Sequence, residues 1–85
     1  MPYIKQEDRK KFEEILKLVN ETPIDTVGDL NFLVTSICLK YFSQEKENYE
    51  RHNAVIGVLE CAKNEWYRMR TVPYENIKID ENGDV

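Results

Sequence analysis

Glycine, proline and cysteine are all scarce in this chain, and each scarcity excludes something. Three glycines in 85 residues leave no glycine loop of the kind that cradles a phosphate. Three prolines, at positions 2, 23 and 73, make no proline-rich linker. The two cysteines, Cys38 and Cys61, lie inside apolar helical patterns with no secretory segment ahead of them. They read as small buried hydrophobes of a reduced cytoplasmic protein rather than as a disulfide. One histidine, His52, makes no zinc site with two thiols; as a general base it would need an orienting carboxylate and a nucleophile, and the sequence identifies neither. Thr35, Ser36 and Ser43 fall in helix interiors, not on a strained nucleophile turn. No metal ligand set and no cofactor is expected. No apolar run approaches the roughly 20 residues of a membrane span, so a soluble cytoplasmic protein is expected.

What is present is charge, in a short chain. Eighty-five residues bound the protein to one domain with a thin core, since chains this small bury only about 60% of the surface they expose when unfolded. The net charge of −4 argues against a nucleic-acid binder, which normally displays a basic patch. Residues 1–21 balance at five basic and five acidic side chains. The last fifteen residues are acidic, with Glu75, Asp80, Glu81 and Asp84 against Lys78.

Hydrophobic spacing predicts three helices. The first runs from about Gln6 to Asn20, with Phe12, Ile15, Leu16 and Val19 on one stripe and a charged outer face. Glu7 and Asp8 sit in its first turn, where the helix dipole favours negative charge. Pro23 ends it by restricting Thr22. Thr26 then offers an N-cap with Asp29 three residues on, a weak capping box; Asp29 itself is the alternative cap. The second helix reaches about Ser43 and is apolar around more than half its circumference, which marks the most enclosed helix or one that meets a second copy of the chain. Asn48 caps the third and longest helix, which carries the stripe Val55, Val58, Leu59, Ala62, Trp66 and Met69. Arg68 and Arg70 suit the negative end of its dipole. Past Pro73 the alternation of Ile77 and Ile79 with Lys78 and Asp80 reads as an extended acidic tail, and Asn82-Gly83 as a turn signal. Pro2 keeps the first residues extended.

Beside the apolar stripe of the third helix runs a thin polar row at Asn53, Gly57, Glu60 and Asn64. Asp29, Asn31, Asn53, Glu60 and Lys63 form a possible polar site, in which Asp29 and Glu60 would share a hard cation with phosphate, as in a metal-dependent nucleotide-binding or nucleotide-hydrolysing all-α protein. Such enzymes carry repeated Glu-x-x-Glu pairs, which the long helix lacks. The plainer reading is that Glu60 accepts hydrogen bonds from Asn31, Asn53 or Lys63 at a buried junction. Gly57, at about 1 kcal/mol against Ala inside a helix, marks close approach by another backbone. Trp66-Tyr67-Arg68-Met69-Arg70 interleaves aromatics with arginines. Trp, Tyr, Arg and Met are enriched at the centres of protein interfaces, so Tyr41, Phe42, Trp66, Tyr67 and Met69 are the expected partner-binding residues.

Met1-Pro2-Tyr3-Ile4, Gly28-Asp29-Leu30-Asn31, the string from Val55 to Lys63, Trp66-Tyr67-Arg68, Pro73-Tyr74-Glu75 and Asn82-Gly83-Asp84-Val85 together resemble a family of short prokaryotic and phage-associated proteins built on a domain of unknown function. The likeness spans nearly the whole chain and implies no activity and no catalytic residue. The sequence therefore predicts an all-α three-helix bundle over residues 1–72 and an extended tail over 73–85. It predicts a cytoplasmic interaction or accessory protein rather than an enzyme, whose partner is a second copy of itself or another protein and not a nucleic acid or a membrane.

Overall fold

A computed structural model describes residues 4–84; the extended start expected at Pro2 lies outside them. A 3₁₀ segment, Gln6–Phe12, leads into α1, Glu13–Glu21. Then follow α2, Val27–Phe42, and α3, Tyr49–Trp66. A π-helical turn, Tyr67–Thr71, joins α3 directly to α4, Val72–Asn82. From Tyr49 to Asn82 the chain is one helix of 34 residues, so the protein is all-α with three helices, the last long, and has no strand among the described residues.

The boundaries follow from local chemistry. Thr22 is extended at φ −97° and ψ 126°, the conformation that a following proline imposes, and α1 stops there. Thr26 then starts α2 with a complete capping box: the Asp29 amide donates to Thr26 Oγ1 at 3.0 Å, and Asp29 Oδ2 accepts from the amides of Thr26 at 3.3 Å and Asp25 at 3.1 Å. Two otherwise orphaned donors of the first turn are satisfied reciprocally. Asn48 starts α3, its Oδ1 accepting from the Arg51 amide at 2.8 Å.

The extended tail expected after Pro73 is instead helix as far as Asn82. Proline removes one amide donor, and its ring crowds the carbonyl four residues back. The chain meets both problems by widening the preceding turn: the Val72 amide reaches back five residues to the Tyr67 carbonyl, and an insertion of this kind keeps a helix continuous where a tight one would break. Asn82-Gly83, expected as a turn in that tail, is the stop of the long helix. Gly83 has φ 84° and its amide donates to the Ile79 carbonyl at 2.7 Å, a positive-φ terminus that glycine adopts without a Cβ penalty. The first seven helical residues, Gln6–Phe12, are 3₁₀ rather than α.

The described residues divide into two units, 4–52 and 53–84. The boundary falls inside α3, just after His52. Among the described residues none is buried, where a thin core was expected. The described part of the second unit is essentially a single helix, and one helix cannot bury its own stripe.

Candidate interaction surfaces

In the first unit the side chains with the most specific contacts gather at the elbow between α2 and α3. The last carbonyls of a helix lack intrahelical donors and carry partial negative charge. Arg51 answers both needs: its Nε donates to the Phe42 carbonyl at 3.2 Å, and Nη2 donates to the Tyr41 carbonyl. The guanidinium carbon also stands 4.5 Å from the centre of the Tyr41 ring, within cation–π range. One residue on, the His52 ring packs against Phe42 with centroids 4.7 Å apart, and its Nε2 lies 2.8 Å from Glu47 Oε2. Glu47, Asn48, Tyr49 and His52 line a shallow recess beside these contacts. The roles of Arg51 and Glu47 escape sequence reading, because they join residues 9 and 10 apart in one case and 5 apart in the other, across a turn whose path no periodicity encodes.

In the second unit the aromatic cluster surrounds the wide turn. Trp66 is 66% exposed, and Tyr67 and Met69 are also exposed. Glu65, whose side chain is half-buried, takes the Arg68 guanidinium in a fork, Nη2 to Oε2 at 3.0 Å and Nε to Oε1 at 3.4 Å. Arg68 is thereby held along the helix. Tyr67 hydrogen-bonds to Glu75, and the bond together with the carboxylate's charge holds the phenol above its ordinary titration range. These two residues are eight apart, whereas two turns of a regular α-helix span 7.2 residues. The extra residue of the wide turn makes up the difference.

The expected polar residues do not form one group within either unit. Asp29 is engaged in the capping box, and the Asp25 and Thr26 amides hold its carboxyl below the usual range. Asn31 is exposed on the same helix. Asn53, Glu60 and Lys63 belong to the other unit, where Glu60 is exposed and pairs with Lys63 at 3.0 Å. Within its own unit Glu60 is thus on a solvated face, where that helix alone offers it nothing to be buried against. Likewise no atom lies within 4 Å of where a Cβ on Gly57 would stand, so its own unit supplies no close backbone approach there. Cys38 and Cys61 are free thiols. Among the described residues no three His, Cys, Asp or Glu side chains gather as a metal site would require, and no helix is long and apolar enough to cross a membrane.

Fold and surface thus define an all-α protein of three helices whose large apolar side chains remain in contact with solvent. The chain belongs to the family of the domain of unknown function DUF6899, whose model matches residues 1–85. A prokaryotic or phage origin is no part of that match. No curated protein and no solved structure matches the chain.

Proposed function

We propose that this is a cytoplasmic interaction or accessory protein that works by self-association or by holding another protein. The observation that carries the reading is the exposure of Trp66 beside Tyr67 and Met69 on one turn of helix. Contiguous exposed apolar surface on a small domain marks an interaction site far more often than chance, and these residue types supply most of the anchors at interface centres. Tyr41 and Phe42 at the α2–α3 elbow offer a second contact surface in the other unit. Trp66 is the only tryptophan of the chain, so its fluorescence reports occupancy directly. The emission shifts to the blue as the concentration rises or a partner is added. Trp66→Ala weakens that association by about 2 kcal/mol, the scale of an interface hot spot, with little change in helical circular dichroism. A chain that stays monomeric at high micromolar concentration and captures nothing from its native host rejects the reading.

A further inference from the structure

The sequence marks α2 as either the most enclosed helix or one that meets a second copy of the chain, and it has no buried residue. A helix that is apolar around more than half its circumference normally has most of that surface covered by other structure. Over its sixteen residues, Val27–Phe42, only Asp29 and Lys40 are charged. They are eleven residues apart, within about 20° of each other around the helix, so both lie on one face. Leu33 and Ser36, both half-buried, fall between them at the 4-3-4 spacing of a helix–helix seam. Phe32 and Ile37 border that seam on either side and are 72% and 62% exposed. Lys40 makes no ion pair among the described residues.

The spacing has a symmetry that selects the occupant. Asp29 and Lys40 are equally far from the helix midpoint between Val34 and Thr35, and so are Leu33 and Ser36. A two-fold dimer joins the same patch on both partners, so the patch must complement itself. We infer that α2 is the seam of an antiparallel homodimer. Each Asp29 then lies beside the Lys40 of the second copy, and each Leu33 beside a Ser36 small enough to let the helices approach. The Phe32 side chains meet along one border and the Ile37 side chains along the other. Parallel pairing would instead set Asp29 against Asp29 and Lys40 against Lys40, a repulsion that electrostatic complementarity disfavours. Asp29 keeps its place in the capping box throughout, since a carboxylate at a helix N-terminus can meet a cation from outside without releasing its amides.

The inference rests on the reading of the chain as an interaction protein but uses a different surface from Trp66, and the experiment separates the two. Sedimentation equilibrium on the whole chain should give a dimer. Phe32→Asp with Ile37→Asp should give a monomer, and the exposed change Lys40→Glu should weaken the dimer at least tenfold with helicity retained. With Cys38 and Cys61 replaced by serine, Leu33→Cys and Ser36→Cys chains mixed and oxidised should cross-link mainly to each other. A wild-type monomer, a dimer indifferent to Lys40→Glu, or preferential cross-linking of Leu33→Cys chains to themselves would each overturn the antiparallel seam. A wild-type monomer would also remove self-association at Trp66, but none of those results would touch the capture of another protein there, which is read from its fluorescence.

Discussion

The chain contains two places where a helix is interrupted, and they are handled in opposite ways. Between Phe42 and Tyr49 the helix breaks, and side chains secure both broken ends: Arg51 on the closing carbonyls of α2, Asn48 on the opening amides of α3, and Glu47 and Phe42 on His52. At Pro73 the helix does not break. The backbone absorbs the missing donor within one wide turn, and Tyr67 and Glu75 bridge it. A proline alone therefore does not decide where a helix ends. What decides is whether capping side chains are at hand to satisfy the exposed groups more favourably than a widened turn does.

Three substitutions would test that contrast. The largest effect is expected at Arg51→Ala, which strips charged donors from two carbonyls and should destabilise the elbow by about 2 kcal/mol, within the range for hydrogen bonds to charged groups. Amide exchange should quicken at Ser43 and Gln44, whose amides bond back to Leu39 and Tyr41, and leave the wide turn unchanged. Asn48→Ala removes an N-cap worth about 1 kcal/mol and should shorten α3 by its first turn, seen in backbone chemical shifts. Pro73→Ala acts at the other interruption. With the amide restored, the turn should relax to regular α-helix, Tyr67 should lose its bond to Glu75, and the phenol should titrate nearer its ordinary value. The sign is fixed by the direction of the shift. A phenol raised in the folded chain contributes stability that is complete below its unfolded value near 10 and is lost as pH rises through its folded one. In the variant that alkaline loss disappears. If Pro73→Ala leaves the Tyr67 titration unmoved, the proline is not the cause of the wide turn.

The same contrast explains what the sequence discloses. The starts of α2 and α3 were legible, because Thr26, Asp29 and Asn48 act over three residues through a chemistry that does not depend on the rest of the fold. The end of α1 at Thr22 was legible for the same reason. Arg51 was not, since its target exists only once a particular turn has formed. Pro73 and Asn82-Gly83 were misleading: both are breaker signals in isolation, and one sits within a helix while the other closes it. The exposure of Trp66, Tyr67 and Met69 could be anticipated from an overhanging third helix. The solvation of Glu60 and the open side of Gly57 could not, because burial is a property of what surrounds a helix and is not written on the helix itself.

The wide turn also separates the chain's numbering from its geometry. Side chains beyond Thr71 are phased with those before Tyr67 as if the protein were one residue shorter, which is how Tyr67 and Glu75 come into line. Loss of a single residue between Tyr67 and Thr71 would leave the two halves of the long helix in phase while restoring the regular ladder. A deletion elsewhere in α3 or α4 would turn everything beyond it through about 100°. Length change, usually the most damaging alteration a helix can suffer, has here one place where its effect is contained.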